Sequence, residues 1–343
     1  MKRLNVKLLV ILFVGVVVLT GAAFGLWMMN TSRTLDALRA EAQRLEEEGE
    51  TQKAIEYYGR YLRQVPEDSE AAGQYAMLVA DWAEEPGAPR QANQLAFQEL
   101  ERALRLDSSR DDIRRRLIKY TMARRRIADA IQHIDVLLEK YPEDGELHAR
   151  LAQCHASQNR LDEAQQAFEK SIEADPQRVD SYLAYAVMLR GKLDSVDEAN
   201  ELIDKMVDAN SEEYSAHSAT CSYLQAYNMN EEAWNDIQRA AELAPNEMEV
   251  LLTAANLARQ TMRRDEAAEY LAKAREIDDE NQEVFRQLAS LAYESKDPEL
   301  AMKYVDEGIE KVPTSRALLE MKASLHIEAE ELDEMIKEST KKK

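Results

Sequence analysis

Apolar residues recur at helical spacing along most of the chain. In 145–178, Leu147, Leu151 and Ala152 share one helix face, and Leu161, Ala164 and Phe168 share a second. The pattern of 111–144 is the same: Leu117 matches Leu151, Ala130 matches Ala164, Ile134 matches Phe168, and Pro142 matches Pro176. Each block predicts a helix, a turn and a second helix. The closing proline ends the second helix, because it lacks the amide donor and restricts the residue before it. A fixed period of 34 residues marks a stack of small helical units, none able to bury its apolar face alone.

The small-residue columns make the pattern specific. Numbering each block from 1, position 20 is Ala54, Ala96, Ala130, Ala164, Ala199, Ala233, Ala267 and Ala301. Position 8 is Ala42, Ala76, Ile118, Ala152, Ala186, Cys221, Ala255 and Ala289, and position 32 is Pro66, Pro142, Pro176, Pro245 and Pro313. Small side chains at both columns let two helices cross closely, where larger ones would overpack. This block resembles the tetratricopeptide repeat over roughly 35–315. The resemblance implies an all-α fold: a right-handed α-solenoid of about eight helix–turn–helix repeats, to which the apolar N-terminal run described below adds one preceding transmembrane helix.

The repeats divide as 35–68, 69–110, 111–144, 145–178, 179–213, 214–247, 248–281 and 282–315. The second is eight residues longer than the period, and the excess around Glu85-Pro86-Gly87-Ala88-Pro89 reads as a loop between its helices. The fifth carries one extra residue near Gly191–Ser195. Asp297-Pro298 reads as a helix cap followed by a first-turn proline. Residues 316–327 read as the first helix of a ninth repeat, and 316–343, with its Lys-rich end, is expected to be a capping helix or an unfinished repeat of a longer protein.

Residues 1–7 form a basic stretch with Lys2, Arg3 and Lys7, and an apolar run from Leu8 to Met29 follows, broken by Thr20 and three glycines. Its 22 residues make about 33 Å of helix at about 1.5 Å per residue, enough to span a bilayer core. The run predicts a signal-anchor helix over 8–29, joined to the repeats by a short linker over 30–34. The competing reading is a cleaved secretory signal, with Gly21, Ala22 and Ala23 as the small-residue site. The compact positive start favours a cytoplasmic N-terminus and repeats exported to the periplasm or another extracytoplasmic space, as a single-pass membrane protein or, after signal cleavage, a secreted one.

Charge narrows the partners. The chain has 44 basic and 65 acidic residues for a net charge of −21. Such a surface repels nucleic acid, so nucleic-acid binding is not expected. Ten glycines and eight prolines argue against a β-rich fold. Cys154 and Cys221 read as small buried hydrophobes too far apart for a disulfide. His148 and His155 are spaced seven apart rather than as an i, i+4 ligand pair, and read as packing residues. No glycine-rich phosphate loop, H-E-x-x-H or G-x-S-x-G occurs. No catalytic residue, metal ligand, cofactor or small-molecule substrate is therefore assigned.

The family resemblance points to first-helix positions 5, 9 and 12 as the lining of a concave groove. Over eight repeats these give 24 residues, of which Arg39, Arg115, Lys119, Arg190, Arg259 and Arg286 are basic and only Glu46 is acidic. Average composition would place four or five acids there, so a basic floor is expected. Arg115, Lys119, Arg150, Gln153, Arg190, Asn256, Arg259 and Arg286 are the candidate partner-binding residues. The resemblance implies a protein-binding scaffold with a partner peptide or helix along its concave face; the apolar run adds a membrane tether, and the basic positions add a partner presenting an acidic segment or free C-terminus. A chaperone-like or structural assembly factor, or the regulatory part of a longer enzyme, are the alternatives.

Overall fold

A computed structural model describes residues 33–327; the apolar run over 8–29, with the anchor read from it, and the Lys-rich end both lie outside the described residues. Within them the backbone forms seventeen helices and no strand. They are α1 (33–47), α2 (Thr51–Leu62), α3 (Ser69–Glu84), α4 (Arg90–Leu106), α5 (Asp111–Ala123), α6 (Ile127–Lys140), α7 (Gly145–Ser157), α8 (Leu161–Ala174) and α9 (Val179–Lys192). They continue as α10 (Val196–Ala209), α11 (Tyr214–Ala226), α12 (Asn230–Leu243), α13 (Met248–Gln260), α14 (Arg264–Ile277), α15 (Gln282–Glu294), α16 (Pro298–Lys311) and α17 (316–327). None of the described helices is long and apolar enough to cross a membrane.

The chain divides into two compact units, 1–164 and 165–343, with the division inside α8. In the first, α3 packs on α4 and α5 on α6 as antiparallel hairpins. Their core joins Ala76 and Val79 of α3 to Ala96 and Leu100 of α4, and continues to Leu117 of α5. Ile118, Ala130, Ile134 and Leu147 form the next cluster along. In the second unit, α11 packs on α12, α13 on α14, and α15 on α16. Leu325 of α17 closes over Ala289, Ala301 and Val305.

The alanine column explains how hairpins this short can have a core. All eight position-20 alanines have no exposed surface. With only a methyl group at the crossing, the facing position-8 residue can also be buried, and seven of those eight are alanine or cysteine.

Local signals set the ends. Asp68 and Asp144 accept from the amides of Ala71 and Leu147 at 3.0 Å, capping α3 and α7. Asp297 accepts from the Leu300 amide at 2.9 Å, with Pro298 in the first turn of α16, as the sequence predicts. Residues 85–89 form the expected loop, turning at Gly87 with φ +88°. The hairpin turns share a feature the apolar pattern does not announce. Gly49, Arg125, Asn159, Asp194, Asn228, Met262 and Lys296 all take positive φ, between 55° and 74°, one in each hairpin turn. Glycine and asparagine suit that conformation; methionine and lysine pay about 1–2 kcal/mol for it.

Gly308 and Gly73 make a paired test of close approach. A methyl at Gly308 would lie 2.8 Å from Phe285 Cβ, which is held by its own helix and cannot swing away. A methyl at Gly73 would meet the end of the Arg110 side chain, which can. Gly308→Ala is expected to lower stability by about 1–3 kcal/mol, overpacking outweighing the helix-propensity gain of about 1 kcal/mol. Gly73→Ala should be neutral or stabilising. Urea unfolding of both variants checks this, and equal destabilisation would refute it.

Candidate functional site

Within each unit the basic candidates are engaged by neighbouring side chains. In the first unit, Arg115 on α5 reaches Asp144 at 2.6 Å, across one repeat, and stacks over the Tyr141 ring at 5.3 Å. Lys119 is 2.8 Å from Glu84 on α3, and Arg150 is 2.6 Å from Glu146 one turn away. Gln153 is exposed. Arg39 follows the Arg115 pattern two repeats earlier, reaching Asp68 at 3.2 Å. Both arginines stand at position 5, and each pairs with the acid that caps the first helix of the following hairpin, whereas Arg286 at the same position pairs with Glu283 on its own helix. The basic cluster on α5 joins hairpins through such pairs, as Arg116 does with Asp81 and Glu84.

In the second unit, Arg190 turns away from the others. It donates to Asn200 Oδ1 at 3.2 Å and Tyr223 Oη at 3.3 Å, and stacks on the Tyr227 ring at 4.1 Å. Asn256, Arg259 and Arg286 are brought together. Arg259 donates to Asn256 Oδ1 at 2.8 Å and pairs with Glu294 of α15. Arg286 donates through Nε to Glu283 at 2.6 Å. Burial pushes the Glu283 carboxyl up, but Arg286 and Gln287 together hold it below the usual carboxylate range.

Around this group lies an open groove of about 590 Å³. Its walls are Ser222 and Gln225 of α11, Leu252, Thr253 and Asn256 of α13, and Glu283 and Gln287 of α15, with Glu247, Met248 and Glu249 at one edge. All three elements are first helices of their hairpins, and α13 touches α15 directly. The lining is amide-rich rather than basic. Gln287 is 5 % exposed; its Nε2 donates to Glu283 at 2.9 Å, but its carbonyl oxygen Oε1 has no donor among the described residues. Gln225, Thr253 and Gln287 are not among the candidates, which follow the excess of charge at these positions. Scoring the same first-helix faces for amides alone finds Gln225 and Gln287, and nothing in the pattern singles out Thr253.

The histidines and cysteines have structural roles. His148 Nε2 bonds the Pro142 carbonyl at 2.7 Å, His217 Nε2 the Ser211 carbonyl at 3.2 Å, and Arg114 the Ser108 carbonyl at 2.7 Å. All three occupy position 4 and reach six residues back, pinning the loop before their helix. Arg114 also faces His133, whose pKa burial and that arginine push down, so neutral His133 accepts the bond. Cys154 and Cys221 have no exposed surface, and burial pushes their thiols to about 11 and about 12. Among the described residues no cluster of three or more His, Cys, Asp or Glu could hold a metal ion.

Comparison with known proteins agrees with the architecture. Residues 121–193 match the tetratricopeptide repeat family. No curated protein matches the chain. Among solved structures, yeast Tom70 is similar at 18 % identity with a TM-score of 0.58, over 84 % of this chain and 59 % of that one. The chain thus spans little more than half of that protein, and the likeness is one of fold. MamA 41-end from Desulfovibrio magneticus RS-1 is similar at 17 % identity and TM-score 0.45, over 52 % of this chain and 96 % of that one. YrrB, a TPR protein, is similar at 22 % identity and TM-score 0.41, over 55 % and 97 %. The family match over 121–193 and the fold agree on a stack of helical hairpins of the tetratricopeptide type.

Asp144 tests the role assigned to Arg115. Burial raises its carboxyl, but the Leu147 amide and Arg115 more than offset this and hold the pKa below the usual range. Asp144→Ala is expected to cost about 1–2 kcal/mol through the lost cap. Asp144→Asn, which keeps a cap acceptor, should cost less. A depressed folded pKa contributes stability that is present above the unfolded value and lost as pH falls through the folded one. The gap between wild type and Asp144→Asn should therefore close below about pH 4. Urea titrations across pH 3–7 would show it, and a gap unchanged at pH 3 would rule out the ion pair.

Proposed function

We propose that the protein is a membrane-tethered interaction scaffold that holds an extended segment of a partner protein along the α11–α13–α15 groove. The observation that carries this reading is Gln287, a buried amide in the groove wall with an unmet acceptor. A buried carbonyl without a donor costs about 1–3 kcal/mol. A peptide amide laid along the groove would supply the donor. Asn256 and Gln225 offer further acceptors and donors at the spacing of successive first helices.

The expected acidic segment or free C-terminus fits this groove in a restricted way. A partner carboxylate would reach Arg259 or Arg286 only by displacing Glu294 or Glu283. Such partly exposed pairs are worth about 0–1 kcal/mol each, so exchange is cheap but adds little specificity. Main-chain recognition by amides supplies the affinity, and the exchanged pairs orient the segment.

A photo-crosslinking residue placed at Ser222, inside the groove, should give a discrete partner adduct in intact membranes. The same residue at exposed Glu276 on α14 should not. Asn256→Leu with Gln287→Leu should weaken partner capture at least about fivefold, since two amide bonds are worth about 0.5–1.5 kcal/mol each. Adducts of equal yield at both sites, or capture unchanged by the double variant, would remove the groove from the proposal.

The tether rests on the Leu8–Met29 run alone. The protein is expected to fractionate with membranes and resist carbonate extraction, and a form lacking residues 1–30 should be soluble and helical. Mature protein beginning after Ala23 would show that the segment is a cleaved signal.

A further inference from the structure

The second helices of unit two carry a different chemistry from the groove. Between α10, α11 and α12 lies an open cleft of about 430 Å³. Its floor is apolar, with Ile203, Tyr223 and Leu224 all buried. Four carboxylates border it: Asp204, Asp208, Glu232 and Asp236. The first three are exposed, and no ion pair ties any of the three to a lysine or arginine among the described residues. Asp236 is half-buried and bonded by His217 Nδ1 at 3.1 Å.

A second observation points to a ligand. Thr220 lines this cleft, is 4 % exposed, and its hydroxyl has no hydrogen-bond partner among the described residues. A helical threonine ordinarily satisfies itself on the carbonyl a turn before, as Thr121 does on Leu117. Thr220 does not. We propose that the cleft is a socket for an arginine side chain of a partner protein, separate from the α11–α13–α15 groove and independent of it.

The fit follows from what an arginine needs. Its methylene stem covers apolar surface while its head stays polar, which matches an apolar floor under a carboxylate rim. Five N–H donors in a fixed fork suit a border that offers the four carboxylates, Asn235 and the Thr220 hydroxyl as acceptors. A bare metal ion is disfavoured, since these acids form no cluster of metal-holding geometry. The basic side chains nearest the cleft are Arg190, which bonds Asn200 and Tyr223 at the border, and His217, which bonds Asp236. Set against four carboxylates they leave a negative cleft, and burial with the neighbouring Asp204 already pushes Asp236 above the usual carboxylate range. The corresponding cleft one hairpin earlier, lined by Glu169, Glu198 and Glu201, includes Lys205 in its own wall. That cleft carries an internal cation; the α10–α12 cleft lacks a lysine.

The test uses the full-length protein in detergent and the peptide acetyl-Gly-Ala-Arg-Ala-Gly amide, followed by saturation-transfer NMR. Transfer to the arginine methylenes is expected, with binding at least tenfold weaker when citrulline, the neutral isostere, replaces arginine. Asp204→Asn with Asp208→Asn should weaken binding at least fivefold. Thr220→Val, which leaves every carboxylate in place, should weaken it about threefold with an unchanged melting profile. Glu276→Gln with Glu280→Gln removes the same charge elsewhere and should leave binding within twofold. Equal binding of the citrulline peptide, or no effect of the aspartate pair and of Thr220→Val, would overturn the socket. An equal loss in the Glu276 and Glu280 control would reduce it to diffuse attraction. Putrescine binding more tightly than the peptide would make the cleft a polyamine site and overturn the docking proposal.

Discussion

The alanine at position 20 sets how closely the two helices of a hairpin approach, and the other features follow from that distance. A helix of thirteen or fourteen residues is marginal alone in water, so each must gain its stability by packing. Ala96 meets Ala76, Ala130 meets Ile118, and Ala301 meets Ala289, each pair inside one core cluster. Because that crossing is tight, the first helices of successive hairpins can also touch, as α3 does α5, α9 does α11 and α13 does α15. Contact among first helices is what makes a continuous groove available in the second unit.

Charge is organised by the same repeat. Many ion pairs span about one period: Arg39 to Asp68, Arg115 to Asp144, Arg263 to Glu231, Lys311 to Asp279. A chain with a net charge of −21 repels itself when compact, and spreading arginines between hairpins places cations where acids of two repeats converge. Each pair is worth little singly. Their effect is to favour one register of neighbouring hairpins, since a slip would part each cation from its acid. This is also why an excess of basic residues at groove positions is poor evidence for a basic groove.

The helical hairpins were legible because their signals are local. Leu147 and Leu151, the Asp297-Pro298 cap and the Glu85–Pro89 loop depend only on neighbours in sequence, and the structure places each as read. Cys154 and Cys221 are buried for the same reason as the alanines around them. The site was less legible, because a long side chain reaches beyond its own repeat. Position 12 holds both Arg190 and Arg259, yet one turns to Tyr227 and the other to Asn256. Register gives the position of a Cα; the rotamer of an arginine is decided by which acceptor lies within reach. Two signals were present and unread. Arg114, His148 and His217 stand in one column with donors at their tips, and the fifteenth position of several repeats is Gly49, Asn159 or Asn228, residues that favour a left-handed turn.

The two faces of unit two differ in a way that ionic strength can separate. The groove of α11, α13 and α15 offers amides and the Arg286-paired Glu283, with Glu247 and Glu249 only at its edge, so most of the free energy it supplies comes from hydrogen bonds and buried apolar surface, which salt hardly screens. The cleft of α10, α11 and α12 offers carboxylates, three of which have no basic partner among the described residues, and their attraction for a cation decays over about 8 Å at physiological salt. An acidic outer surface therefore need not be only a solubility device. Where its carboxylates converge over an apolar floor with an unsatisfied hydroxyl, the charge that keeps the chain soluble also gives a basic side chain a place to sit, and one scaffold can engage a partner by main chain on one face and by charge on the other.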